Sequence, residues 1–216
     1  MWCNVTTAAT SERRPTQADR RARTRSALLE AAARGMSRDG YAKLVLERVA
    51  REAGYTRGAL YHLFASKEDL ALAVVGWVEE TWFAEVGHVF ADDADPVGSL
   101  MALARGHAVY CRRDVARVMM NLAVEFSGQE HPVGRAVESV GRRIVDDCTR
   151  LISAGRRSGA IPPGPRPRLL AAAFLGALDG LMIHLSGQTR FDVLLAERVV
   201  VGLLGLPPAS ASTRSS

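Results

Sequence analysis

Cysteine is scarce in this 216-residue chain: Cys3, Cys111 and Cys148 are odd in number, widely spaced and outside any metal-ligand pattern. That argues against a disulfide framework and against a zinc site. A redox pair built from Cys111 and Cys148 is the alternative, but a free cysteine is more commonly an inert packing residue. Long hydrophobic runs are also missing. Although 48% of the residues are apolar, no stretch reaches the roughly 20 uninterrupted apolar residues of a membrane span. The longest candidate, 169–185, is broken by Asp179 and several glycines and reads as a buried helix. Residues 1–25 are rich in Thr, Ser and Arg and lack the apolar centre of a signal peptide, so the expected location is cytoplasmic, with no membrane partner. Paired carboxylates, a nucleophile elbow, a phosphate-cradling glycine loop and His/Cys ligand spacings are all absent. His131-Pro132 finds no catalytic partner, and Asp146-Asp147 reads as part of a solvated helix face. The expectation is a non-enzyme with no cofactor and no metal.

Charge is present but unevenly placed. Residues 1–67 hold 13 Lys+Arg against 6 Asp+Glu, or +7, whereas residues 68–216 hold 15 against 17, or −2. A basic head on a mildly acidic body points to a polyanion partner for the head alone, bound through counterion release. Arg outnumbers Lys 26 to 2, a skew that says nothing about contacts; the difference between head and body does.

The apolar spacing is helical throughout, with no competing alternation of a strand and no internal repeat. Residues 1–17 read as a disordered arm and 207–216 as a disordered tail. A first helix spans Asp19–Arg38 and is stopped by Asp39-Gly40. Two short helices follow near Val45–Ala53 and Arg57–Leu63, with Gly54 suited to a left-handed turn and Thr56 to an N-cap. Ser66-Lys67-Glu68-Asp69 has the form of a capping box and opens a long fourth helix to about Phe90. Further helices are expected near 97–111, 114–127, 133–157, 167–187 and 192–204.

The run from Ala50 to Leu70, AREAGYTRGALYHLFASKEDL, resembles the signature of the TetR family of transcriptional regulators, and the likeness extends upstream to Ala31-Ala32 and Gly40-Tyr41. It covers about 45 residues. The body resembles the family only in helical layout and in the run 174–180. The resemblance implies an all-α fold: an N-terminal three-helix DNA-binding domain with a helix-turn-helix at 18–66, then a larger helical ligand-binding and dimerisation domain at 67–206. It implies a homodimer, a double-stranded DNA operator, and repression relieved by a small-molecule effector. An activator, or an architectural binder that senses no ligand, would have the same head.

Residue types fit these roles. Gly54 turns between the two short helices, Val49 and Ala50 let them cross closely, and Leu60 and Phe64, four apart, form the buried face. The opposite face presents Arg57, Gly58, Tyr61 and His62 to the major groove. Gly58 allows close approach, and the Arg57 fork suits guanine. Thr56, Tyr61 and Lys67 can meet phosphates, Lys67 from a helix first turn whose free amides already favour an anion. Tyr61 could instead pack on the first helix, and Lys67 could be a solvated lysine. Where the family places a Thr or Ser cap before its second helix, this chain has Leu44 and Val45, so that cap is missing and either the helix starts differently or one backbone contact is lost.

In the family the last two long helices dimerise, and Ala172, Gly176 and Gly180 recur here every four residues, with Leu169, Ala173, Ile183 and Leu203 as apolar neighbours. The same small residues could pack within one subunit. A cavity between helices four, five, seven and eight would draw on His107, Cys111, Met119, Met120, Asn121, Phe126, Phe174 and Asp179, a mixture of apolar bulk and a few polar groups that suits a lipophilic effector. Ligand entry would shift helix four, which is fused to the head through Ser66–Leu70.

Overall fold

The computed structural model describes residues 16–91, 94–185 and 188–207. Nine α-helices account for most of these described residues: α1 (Gln17–Asp39), α2 (Leu46–Glu52), α3 (Arg57–Leu63), α4 (Lys67–Glu85), α5 (Pro96–Tyr110), α6 (Val118–Glu125), α7 (Pro132–Ser158), α8 (Pro167–His184) and α9 (Asp192–Leu204). Two 3-10 turns, Gly87–Ala91 and Asp114–Arg117, complete them, and the described residues contain no strand. The all-α expectation holds. Cys3, the arm before Thr16 and the tail beyond Pro207 lie outside the described residues.

Local chemistry sets the helix ends. Thr16 and Gln17, read from the sequence as part of the arm, instead begin α1. The Thr16 hydroxyl accepts from the Asp19 amide at 3.2 Å while the Asp19 carboxylate accepts from the Thr16 amide at 2.8 Å, a reciprocal cap that satisfies two donors. Gly40 ends the helix at φ +79° and Gly54 makes the α2–α3 turn at φ +78°, a region that side chains with a Cβ rarely enter. Thr56 caps α3 and Ser66 caps α4, accepting from Ala59 and Asp69 respectively. The Asp69 carboxylate in turn accepts from the Ala65 amide.

Two expected helices are shorter than the sequence suggests. α4 stops at Glu85 rather than Phe90, because the chain tightens at Gly87, where a Cβ would collide with the Phe83 ring. Phe90 swings back to join Trp82 and Phe83 at ring-centroid distances of 6.3 Å. The segment expected as one helix over 114–127 splits into a 3-10 turn and α6, which ends at Glu125.

α1 is the spine of the head. Its buried face, Leu28, Leu29, Ala32 and Met36, packs under α2, α4 and α6, and Leu60 and Phe64 of α3 close the same core. Behind it, α7 packs on α4, α5 and α8, and α5 packs on α9. α8 departs from the buried helix expected of its sequence. Only Leu170, Ala171, Phe174, Leu178 and Met182 are buried, while Leu169 and Ile183 are 64% and 55% exposed. By length and composition it is also the one described helix apolar enough to cross a membrane.

α9 is pinned to α5 by Arg112, whose guanidinium donates to both oxygens of the buried Asp192 carboxylate at 2.9 and 3.0 Å and to the Thr189 carbonyl at 3.2 Å. Arg112 holds the Asp192 carboxyl below its ordinary value of 3.8. A depressed carboxyl contributes stability at pH values above its unfolded pKa and loses that contribution as pH falls through the folded one. Acid titration of thermal stability below about pH 4 should therefore be shallower in Asp192→Asn than in the parent chain, and the variant should be the less stable of the two at neutral pH.

Candidate DNA-reading face and ligand cavity

α3 carries two faces of opposite character. Leu60 and Phe64 are 0% and 2% exposed, and Val49 and Ala50 of α2 are buried beside them. Arg57, Gly58, Tyr61 and His62 face solvent, Tyr61 at 42% exposure. Tyr61 therefore does not pack on α1. Its ring instead carries the Arg57 guanidinium, 5.2 Å from the centroid. Arg57 also pairs with Glu47 of α2 at 3.0 Å, a partner that sequence reasoning missed. The hydroxyl of Thr56 uses its acceptor capacity on Ala59 and keeps its donor.

Lys67 is placed differently from a free phosphate ligand. Its ammonium donates to the Ala42 carbonyl at 2.8 Å and lies over the Tyr41 ring, 4.7 Å from the centroid. Burial lowers its pKa, with the Glu125 carboxylate pulling the other way. Lys67 thus holds the turn that precedes α2, with two ammonium protons left for other acceptors.

The turn before α2 has no side-chain cap, as expected. Val45 occupies the N-cap of α2 without a side-chain hydrogen bond, and Leu44 is a buried plug against Gly35 of α1. The exposed amides of the turn are met from the body. Glu125, at the end of α6, accepts from the Tyr41 amide through Oε2 and from the Ala42 amide through Oε1, each at 2.6 Å. One turn earlier on α6, Asn121 donates to the Ser37 carbonyl at 2.7 Å. Asn121, expected in the cavity, faces α1 instead. Next to Glu125, Phe126 meets Tyr41 edge-on at 5.2 Å and stacks on His131 at 4.2 Å, and His131 lies 3.6 Å from Glu68 of α4. Nothing in the sequence signals this junction, because Glu125 lies more than 80 residues from the amides it caps.

The other face of α6 lines a cavity of about 430 Å³ between α4, α5, α6, α7 and α8. His107, Cys111, Met119, Met120, Phe126 and Asp179, all expected from the sequence, lie in its wall, together with Ile183, which had been assigned to the dimer face. Phe174 does not line it: that ring is fully buried in the core on the inner side of α8. Trp82, Tyr110, Glu79 and Glu138 line it as well and were not anticipated, since their helical spacing reads equally well as core or as surface.

His107 organises the polar end of this cavity. Its Nε2 lies 3.2 Å from the Asp179 carboxylate and 3.4 Å from the Cys111 sulfur, and the Trp82 indole N–H donates to its Nδ1 at 3.3 Å. Burial works against the charged ring, but Asp179 and Cys111 outweigh it and push the pKa up to about 10. The indole opposes the last step, because an indole can only donate and a proton on Nδ1 would face it directly. Both influences place a proton on Nε2. Cys148, by contrast, is fully buried on α7 and its thiol is pushed up to about 12 by desolvation, which makes it an inert packing residue rather than a redox centre.

On α8, the small residues lie on the outward side. Ala172 and Gly176 are exposed and Gly180 is half-buried, and a Cβ added at Gly176 or Gly180 would meet nothing within 4 Å. Ile183, Phe191 and Leu194 extend the apolar surface at 55%, 46% and 44% exposure. The small residues therefore do not pack within one subunit.

An all-helical chain with a helix-turn-helix head and a cavity-bearing helical body defines a class of ligand-responsive DNA-binding regulators. The family model for bacterial regulatory proteins of the TetR family matches residues 28–74. The transcriptional regulator TtgR of Pseudomonas putida is 35% identical over 165 residues, 74% of this chain and 78% of its own length. The chain belongs to the TetR family. It is also 28% identical over 159 residues to the A-factor receptor protein of Streptomyces griseus, a match covering 72% of this chain but only 52% of that relative. In fold it resembles AibR, solved in complex with isovaleryl coenzyme A and operator DNA, with a TM-score of 0.69 at 21% identity over 85% of this chain and 100% of that one.

Replacing Glu125 with Gln leaves one acceptor oxygen where two amides need one each. Amide hydrogen exchange at Tyr41 and Ala42 should quicken about tenfold in Glu125→Gln, as expected for loss of one charge-assisted hydrogen bond at a partly buried site, while exchange in α7 stays as it was.

Proposed function

We propose that this chain is a cytoplasmic, homodimeric transcriptional repressor with no chemical step of its own, bound to a partly palindromic operator and released from it by a small lipophilic effector. Residues 18–66 read DNA, with Arg57, Gly58, Tyr61 and His62 in the major groove and Thr56 and Lys67 toward phosphates. Residues 67–206 hold the effector and the dimer contacts. The observation that carries this reading is the split of α6: one face lines the cavity, and the other holds the head through Glu125 and Asn121.

A ligand that displaces α6 or α4 therefore moves the turn before α2 and the start of α4 together. Two reading helices about one DNA turn apart, roughly 34 Å, would lose their common register. Binding of effector and of operator would then oppose each other by one coupling free energy. Dimerisation through α8 and α9 is supported by the open strip of Ala172, Gly176, Gly180 and Ile183, an apolar surface on which a second copy of the same helices can lie closely.

Selection from a random duplex pool tests the reading as a whole. A partly palindromic winner with steep salt dependence supports it, whereas a chain that enriches no sequence overturns it. On the winning site, Arg57→Ala should cost about 1–3 kcal/mol and relax base preference, with a smaller loss on random DNA; equal losses on both would remove Arg57 from the readout. Gly176→Glu places a charge on this strip, at a position where an added Cβ meets nothing within 4 Å. Light scattering should give the mass of a monomer for this variant with helical content intact, and operator affinity should fall with the lost symmetry.

A further inference from the structure

The charges around the cavity say more about its ligand than its apolar wall does. Met119, Met120, Val137 and Ile144 supply bulk, but every formally charged side chain in the lining other than the His107 ring is acidic: Glu79, Glu138 and Asp179, with no Lys or Arg among them. Glu79 is paired with Arg143, and Glu138 with Arg142 at 3.5 Å. Both arginine side chains are more than half exposed and stand outside the lining. Asp179 differs from the other two, because its ion-pair partner is the buried His107 ring, itself held on its other nitrogen by Trp82.

An anionic head entering this cavity would meet three carboxylates, with the His107 ring, the one basic group of the lining, already held by Asp179, in surroundings of low polarity where like charges repel most strongly. The phosphates of a coenzyme A thioester, the ligand in the AibR complex, would find no Lys or Arg in the wall. A cationic head would find Asp179, 38% exposed and paired with the His107 ring, and in the same lining the Glu79 carboxylate that Arg143 holds from outside it. The rings of Trp82, Tyr110 and Phe126 share the wall, and aromatic faces add to the attraction of a desolvated cation. A cavity of about 430 Å³ is of the size that takes a small apolar body, on the order of ten carbons.

We propose that the effector is a lipophilic cation, an amine or quaternary ammonium head on an apolar body, with Asp179 as its counter-charge and the aromatic wall around its head. This rests on the reading that the α4–α8 cavity is the effector site of a DNA-binding regulator.

Three ten-carbon probes that differ in charge test it on the full-length chain: decyltrimethylammonium, 1-decanol and decanoate, titrated by calorimetry below their micellar concentrations. Decyltrimethylammonium should bind at least tenfold more tightly than decanoate and should release the selected operator. Asp179→Asn, nearly isosteric, should lose about tenfold for the cation and leave 1-decanol unchanged; Glu79→Gln should show the same pattern more weakly. Equal or tighter binding of decanoate, or an equal loss for cation and alcohol in Asp179→Asn, overturns the proposal. So does failure of all three probes in a chain that still binds its operator. Failure to bind any operator, with the cation bound as expected, would instead overturn the regulator reading and leave the ligand class standing. A thermal melt of each variant separates loss of the site from loss of the fold.

Discussion

The carboxylate of Glu125 on the amides of Tyr41 and Ala42 is the charged contact that ties the turn before α2 to the body. Without it the turn before α2 would leave two amides to water, while α1 would still pack on α4 and α6 and Asn121 would still donate to the Ser37 carbonyl. A carboxylate accepting two backbone hydrogen bonds is stronger than a neutral Ser or Thr cap, and it comes from a helix that also walls the cavity. Lys67 then meets the carbonyl of the same turn, and Tyr41 is held between the Lys67 ammonium and the Phe126 ring. The turn before α2 is thus fixed by a residue more than 80 positions away in the chain, and the position of the reading helix comes to depend on α6.

This arrangement links the cavity wall to the head by two routes. α4 was visible from the sequence as a connector, since Ser66 begins it immediately after α3. α6 was not. The two routes converge on the residues around Tyr41, where Glu68 of α4 and Phe126 beside α6 both approach His131. A displacement of either helix by a ligand has to be accommodated at that point, and a well-packed interior resists accommodating it gradually.

How much of this was legible in the residues follows from the range of each interaction. The caps at Thr56 and Ser66, the turn at Gly54 and the buried pair Leu60 and Phe64 depend on neighbours within four residues, and the sequence displays them directly. The outward strip of α8 was readable as a pattern of small residues every four positions, but not its direction, which is set by α5, α7 and α9 on the other side. The cavity was half readable. His107, Cys111 and Asp179 stand out as polar groups on apolar helices, with Met119 and Phe126 as apolar bulk beside them, whereas Phe174, on the same helix as Asp179, turns inward. Glu79, Glu138 and Glu125 were passed over for the same reason: a glutamate at helical spacing on an amphipathic helix is usually solvated, and only the packing of distant helices tells which ones are not.

The polar end of the cavity sets a condition on any ligand that is to work as an effector. An apolar molecule gains by leaving water in whichever state of the protein offers a dry cavity, and equal affinity for both states shifts nothing. To move the head, a ligand must bind better when α6 is displaced than when it is held. Asp179 and His107 sit on α8 and α5, away from the junction, whereas Met119, Met120 and Phe126 sit on or beside α6. A molecule anchored by its charge at Asp179 has a fixed end against which its apolar body can press on α6. Without that anchor, the body could slide within the cavity and relieve the pressure. The charge fixes where the ligand sits, and its length then decides how far α6 must move.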